Sequence, residues 1–293
     1  MLSRIATLSL RGLARLPWGA LRRLGQGVAR LLYRLNGREA RNVRANLTIA
    51  YPHLPVAERE ALVRQVLIES AITFCEMPRI WLRDEDLSDR VDPAGLPGRM
   101  RELVEQGRGL ILAMPHHGNW ELVSAGIDPS LPITGLYRPP RQAFLEPLMR
   151  QGRSIARIRM VPTTPAGIKA LNRALKAGEV IAILPDQVPK SAGAAAAVAP
   201  FFGRECATMV LLGRLAARHG SPVLFAWAER QSDGRYRMRH FLADEDIADT
   251  DPQRAAVALN RHVECCIAAA PAQYQWAYRR FYPAVPGQSN PYT

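Results

Sequence analysis

Four short apolar runs, GLILAMP (109–115), LPITGLY (131–137), EVIAIL (179–184) and PVLFAWA (222–228), each lie next to a segment of helical periodicity, among them 166–177 and 207–219. Runs of this length between helical segments read as buried strands, and strands alternating with helices require a layered α/β fold. RYRMRHFL (235–242) differs, because polar and apolar residues alternate along it. Close behind 222–228, it predicts an antiparallel neighbour on a mixed, mainly parallel central sheet flanked by helices. Residues 57–74 and 97–106 add helical periodicity ahead of the first strand.

At 293 residues the chain is long enough to bury a large core. It carries 39 Lys and Arg against 26 Asp and Glu, a formal charge of +13, which favours anionic partners: membrane lipid, nucleic acid or an acidic carrier protein. Cys75, Cys206, Cys265 and Cys266 form no CxxC pair and no disulfide framework.

Residues 1–35 are rich in Leu but interrupted by arginine every few positions, so they do not read as a membrane-spanning helix. On one continuous helix Arg4, Arg11, Arg15 and Arg22 share a stripe, with Ile5, Leu8, Leu16 and Leu24 mostly turned away from it. That pattern describes an interfacial amphipathic helix; an Arg-rich transit segment and an ordinary surface helix are the alternatives. No linker or composition break follows, so 1–35 is set apart as a membrane-associating segment and 36–293 reads as one catalytic-sized domain.

MPHHGNWE (114–121) closes the first strand. Pro115 stops the strand, Gly118 permits a turn, and strand ends in α/β sheets are where sites are built. His117 and Glu121 are four apart and would share a helix face. His116 and Glu121 are five apart, about 140° on a regular helix, so they meet only if His116 lies on the turn before it. Metal binding by the paired histidines is a third reading, although no HExxH spacing or carboxylate cluster completes a ligand set. Simple helix capping is the structural alternative. From the residues alone, a metal-dependent hydrolase and a non-catalytic basic protein binding membrane or nucleic acid are two open classes of function. No nucleic-acid-binding motif appears.

HHGNWE resembles the His-x4-acidic motif of glycerolipid-type acyltransferases, specifically the bacterial lipid A biosynthesis acyltransferase family. RNVRANLTIAYPHL (41–54), YRPP (137–140), LPDQ (184–187), APFFGRECAT (199–208) and PAQYQWAYRRF (271–281) are similar to further blocks of that family in the same order, so the resemblance covers nearly the whole chain. Two departures are the arginine-broken start and the lack of an arginine in MVPTTPAG (160–167).

The resemblance implies a glycerolipid-acyltransferase-like fold with 36–293 as the acyltransferase domain. It also implies transfer of an acyl group from an acyl carrier protein thioester to a hydroxyl of an acylated, phosphorylated sugar lipid at the cytoplasmic face of the inner membrane. Another glycolipid or a lysophospholipid is the alternative acceptor; no cofactor and no metal are expected. His116 would be the general base and Glu121 would fix its tautomer. No G-x-S-x-G nucleophile elbow is present. The backbone amides of Gly118 and Asn119 are candidate oxyanion donors. Arg138 and Arg159 are candidates for lipid phosphates. Asp186 and Gln187 should emerge at the same sheet edge as the histidine turn, Asp186 holding an arginine or orienting the acceptor. The loop 190–203 would border an acyl channel with Phe201 and Phe202 as walls.

Overall fold

The computed structural model of the chain describes residues 2–138, 142, 144–149, 158–189 and 195–293, with side chains from residue 6 onward. A seven-stranded sheet is built from β1 (Val91–Asp92), β2 (Leu110–Ala113), β3 (Ile133–Tyr137), β4 (Ile158–Pro162), β5 (Val180–Ile183), β8 (Val223–Arg230) and β9 (Tyr236–Leu242), in the order β1-β9-β8-β2-β5-β3-β4. From β8 to β4 every pairing is parallel. β9 runs antiparallel to β8, as its alternating pattern requires, and β1 pairs parallel with β9. The sheet is therefore mixed and mainly parallel, with all four apolar runs inside it.

Two elements differ from the expectation. The edge strand β4 carries Arg159 at its second position and is only half-buried, so it lacks the apolar run that marks the central strands. The helix expected over 207–219 starts at Leu211, because Arg204–Met209 is β7, paired antiparallel with β6 (Ala196–Phe201) in a separate hairpin.

Successive residues of a strand face opposite sides, and the two sides of this sheet are covered differently. Ile111, Ala113, Ile181, Ile183, Phe225 and Trp227 face one core, with α3 (Arg38–Ala50), α7 (Pro165–Lys176), α8 (Leu211–His219), α9 (Pro252–Ala269) and part of α4 (Val56–Leu82). α7 begins at a side-chain cap: the Thr164 hydroxyl accepts from the Gly167 amide at 3.3 Å and Pro165 follows at the first helical position. Leu110, Leu112, Val180, Ala182 and Ile133 face the second core, with α5 (Leu96–Val104) and α6 (Val123–Gly126).

The amino-terminal segment is two helices, α1 (Leu2–Arg15) and α2 (Trp18–Leu35), because Pro17 breaks the run. The single arginine stripe expected across 1–35 is therefore divided; Arg4 and Ile5 lie outside the described side chains, and the Arg22 guanidinium donates to the Ser232 carbonyl at 3.0 Å. α2 packs along α4 through Trp18, Leu21, Gly25 and Ala29, and a Cβ at Gly25 would come within 2.7 Å of the Ile72 Cα. On a second stripe of α2, Leu24, Val28, Leu31 and Leu35 are exposed, as are Leu8 and Leu16. Among the described residues, no helix is long and apolar enough to cross a membrane.

Candidate active site

β2 ends at Ala113, and the chain leaves the carboxyl edge of the sheet into a turn whose path is dictated by backbone pairing. Gly118 adopts φ +61°, and a Cβ there would lie 1.9 Å from the Ala228 carbonyl oxygen, so only glycine fits. The Gly118 amide donates to the Gln273 carbonyl and the Asn119 amide to the Ala228 carbonyl, both at 3.0 Å; the Gln275 amide donates to the His116 carbonyl at 3.0 Å. The turn is thus clasped between β8 and the segment Pro271–Trp276. A short 3-10 turn, Trp120–Leu122, follows it.

These bonds correct one expectation. The amides of Gly118 and Asn119 already serve backbone carbonyls, so neither is free to donate to an oxyanion.

The His116 ring sits at the edge of a cavity with its side chain 14% exposed. Its Nδ1 lies 2.8 Å from Asp186 Oδ1, and its amide donates to Asp186 Oδ2 at 3.0 Å. Asp186 emerges just beyond β5, the strand adjacent to β2, so both residues reach the same sheet edge. Burial works to raise the Asp186 carboxyl, but the His116 imidazole and amide outweigh it and hold the group below the ordinary carboxylate range. With a carboxylate on Nδ1, that nitrogen carries the proton and Nε2 presents its lone pair. Gln187 Nε2 lies 3.2 Å from it and donates to Gln275 Oε1 at 3.3 Å. The carboxylate on Nδ1 is thus that of Asp186, not that of Glu121, the partner implied by the family motif. Glu121 lies on the wall of the same cavity.

His117 points the other way and is fully buried. Its ring packs 5.7 Å from the Trp227 ring and 6.4 Å from Tyr274, and neither ring nitrogen has a hydrogen-bond partner among the described residues. Burial pushes its pKa down to about 4, against a smaller opposing pull from Glu229 and Asp186, so the ring is neutral near pH 7. The two histidines therefore do not converge on one ligand. Among the described residues, the group with metal-ligand spacing is Asp244, Asp246 and His262. Both of its aspartates pair with Arg261, and His262 Nε2 accepts from the Asp244 amide.

Beneath the turn, Asn119 Nδ2 donates to Glu76 Oε2 at 3.1 Å. Glu76, on α4, also accepts from the Tyr236 hydroxyl and from Arg230 Nη2. Arg230, nearly fully buried, donates further to the Tyr236 hydroxyl at 2.8 Å, to Thr73 at 3.0 Å and to Glu69. Burial alone would lower the guanidinium, but Tyr236, Glu76 and Glu69 more than offset it and raise its pKa. This network was not anticipated: Glu76 and Arg230 sit about 150 positions apart in otherwise apolar surroundings, and only the fold joins them.

A cavity of about 450 Å³ opens from His116 along the second face of the sheet. Trp120, Glu121, Arg138, Gln187 and Gln275 surround its polar end. Leu112, Ala182, Gly135, Met160, Ile133 and Ile158 form the sheet wall, opposite Phe74, Met77, Ile80 and Trp81 of α4. Trp120 bridges mouth and base, its ring 5.0 Å from that of His116 and 6.2 Å from that of Phe74. The structure thus gathers His116, Glu121, Arg138, Asp186 and Gln187.

It leaves three expected residues elsewhere. Arg159 is near the amino end of its strand, on the face away from the cavity, bonded to Thr134 at 2.7 Å and Glu179 at 3.2 Å, so it cannot reach a phosphate at the histidine turn. Phe201 is buried in the first core against Phe281 and Tyr274, and Phe202 packs on Tyr51 and Trp276. Neither lines the cavity at His116. Residues 190–194 of the loop that was to border the channel, and Pro139 and Pro140 of the YRPP block, lie outside the described residues.

The family model for bacterial lipid A biosynthesis acyltransferases matches residues 3–282. Among similar proteins, the chain is 28% identical over 271 residues to a lipid A biosynthesis lauroyltransferase of Escherichia coli (strain K12), covering 91% of this chain and 86% of the relative. It is 27% identical over 284 residues to a lipid A biosynthesis palmitoleoyltransferase of the same organism, covering 94% and 90%. It is 28% identical over 240 residues to a lipid A biosynthesis acyltransferase of Haemophilus influenzae, covering 79% and 72%. A match across nearly the whole length, with a histidine and carboxylate at the mouth of an apolar cavity, is decisive: the chain belongs to the bacterial lipid A biosynthesis acyltransferase family and is an acyltransferase of that type.

Proposed function

We propose that the protein transfers a fatty acyl chain from an acyl carrier protein thioester to a hydroxyl of a lipid A precursor, at the cytoplasmic face of the bacterial inner membrane. The observation that carries this reading is His116, its Nδ1 held by Asp186 and its ring on the lining of a largely apolar cavity. The names of the relatives, which include lauroyl- and palmitoleoyltransferases, agree with a fatty acyl donor.

In this reaction the acceptor hydroxyl displaces Gln187 from Nε2, and His116 takes its proton as the oxygen attacks the thioester carbonyl. The tetrahedral intermediate collapses by breaking the carbon–sulfur bond, and the imidazolium returns the proton to the leaving thiolate. Asp186 fixes the tautomer and stabilises the imidazolium, and Glu121 adds a second negative charge facing the same cavity. With the turn amides taken, the side-chain amide of Gln187 is the donor best placed for the oxyanion. Arg138, exposed at the mouth, suits a phosphate of the acceptor.

The net charge of +13 suits an acidic carrier protein and an anionic membrane surface. The exposed row Leu24, Val28, Leu31 and Leu35, with Leu8 and Leu16, would rest at the lipid surface without crossing it. The test is incubation of the full chain with acyl carrier protein thioesters and a lipid A precursor, followed by mass spectrometry of the lipid. A mass gain of one acyl chain supports the reading. Release of free fatty acid without that gain means hydrolysis, and an untouched thioester rejects both.

A further inference from the structure

The strand register assigns a length limit to the apolar cavity. In the parallel sheet, residues of neighbouring strands at one level form rows across the face. Leu112, Ala182, Gly135 and Met160 make one such row, and all four line the cavity. One level further from the carboxyl edge, and so further from His116, the row is Leu110, Val180, Ile133 and Ile158. Only its last two members, Ile133 and Ile158, touch the cavity. The upper row is low in the middle, because a methyl and a hydrogen stand where the other positions carry long side chains. The lower row is bulky throughout. A chain entering at His116 therefore passes over Ala182 and Gly135 and meets Ile133 and Ile158 end-on.

Gly135 has no backbone reason to be glycine, since its φ is not positive. A Cβ there would lie 2.9 Å from Met160 Sδ, near the end of a flexible side chain, and 3.0 Å from Ile158 Cγ2, a methyl on a stiff β-branched carbon, both on the cavity wall. The consequence of the missing side chain is width at the middle of the passage. We propose that the paired isoleucines Ile133 and Ile158 set the maximum length of acyl chain the enzyme accepts, and that Gly135 sets whether a chain reaches them. The proposal rests on the acyltransferase reading of the same cavity.

The experiment is a donor-length profile, with decanoyl, dodecanoyl, myristoyl, palmitoyl and stearoyl carrier protein thioesters, for the full-length wild type and three variants. Ile133→Ala and Ile158→Ala are expected to move the preferred donor to the next longer even chain. Each should raise its kcat/KM relative to the wild-type optimum by about tenfold, the size expected for seating two more methylenes. Gly135→Val should move the preference the opposite way by a similar factor. Displacement of a fluorescent fatty acid by unlabelled fatty acids of the same lengths gives a second readout that needs no turnover, and circular dichroism confirms that each variant is folded. If the wild type consumes no thioester of any length, the acyltransferase reading fails. If it transfers acyl chains but folded variants of all three positions keep the wild-type length profile in both assays, the assignment of the limit is overturned and the reaction stands.

Discussion

His116 and His117 are neighbours in the chain with opposite surroundings. One ring is held between a carboxylate and an amide at the mouth of a cavity; the other is sealed among Trp227 and Tyr274 with both nitrogens unpartnered among the described residues. The division follows from the turn. Gly118 allows the backbone to press against Ala228, and the clasp with Gln273 and Gln275 sends consecutive side chains to opposite sides of the segment. The open side has charge and access, which proton transfer requires; the closed side contributes burial and is penalised whenever its histidine is protonated. The same contrast recurs across the sheet, where one face is packed solid and the other keeps a hollow over Ala182 and Gly135.

The sharpest test of that contrast is activity. His116→Ala is expected to lower turnover by about 10² to 10⁴, the range for a positioned general base, with the fold intact. His117→Ala should lose less activity and more stability, because it empties a buried aromatic pocket. The comparison breaks if turnover assays and urea midpoints show the reverse pattern.

Asp186→Asn comes next, with an expected loss of about 10² in turnover, since an amide holds the ring less firmly and supports the imidazolium less well. The double variant His116→Ala/Asp186→Asn should be little worse than His116→Ala alone, because the two act as a unit. Additive losses in the double variant would show that Asp186 acts independently of His116. Glu121→Gln, measured beside it, should cost less than Asp186→Asn; the opposite order would return the orienting role to the motif carboxylate.

Much of the fold was legible, and the reason is local. The four apolar runs, the alternation in 235–242 and the helical periodicity of 166–177 are patterns within a few residues, where the hydrophobic period decides. The position of His116 on a turn before the helix was legible for the same reason, from Pro115 and Gly118. What the turn touches was not. Asp186 was expected at the right sheet edge, but its pairing with Nδ1 depends on β5 lying beside β2, a long-range fact. Arg159 misled because a strand residue's face and level depend on register, which no single strand reveals. Phe201 and Phe202 misled because an aromatic pair in a small-residue loop looks the same whether it lines a channel or anchors a hairpin.

The buried network beneath the turn sharpens the comparison by testing what holds the two histidines apart. Glu76→Ala leaves Arg230 with Glu69 as its remaining carboxylate partner and takes from Asn119 its Glu76 acceptor, so a stability loss of about 3–5 kcal/mol is expected from breaking a buried ion pair. Glu76→Gln, which keeps the shape and one acceptor, should lose less. Chemical denaturation of both variants measures this, and a loss below about 1 kcal/mol for Glu76→Ala would remove the network as the support of the turn.

The smallest expected effect is the pH dependence of stability that His117 imposes. Its folded pKa is about 4, below the ordinary value of 6.5, so between these values the unfolded chain binds a proton that the folded chain refuses. Stability contributed by the neutral ring is therefore complete above about pH 6.5 and falls as the pH drops toward 4, by about 3 kcal/mol in all. Asp186, whose folded pKa is lowered, acts in a separate window: its contribution is complete above its unfolded pKa near 4 and is lost only below that. Urea unfolding at half-unit steps from pH 7.5 to 4.5 covers the His117 window, and the difference between the wild type and His117→Gln gives its share, since His219, also lowered, and Glu264, raised, titrate in both. His117→Gln, which cannot titrate, should flatten the curve in that window even if it is less stable throughout. A wild-type curve that is flat from pH 6.5 to 4.5 would mean that the buried ring accepts a proton without difficulty, and the division between the two histidines would lose its electrostatic half.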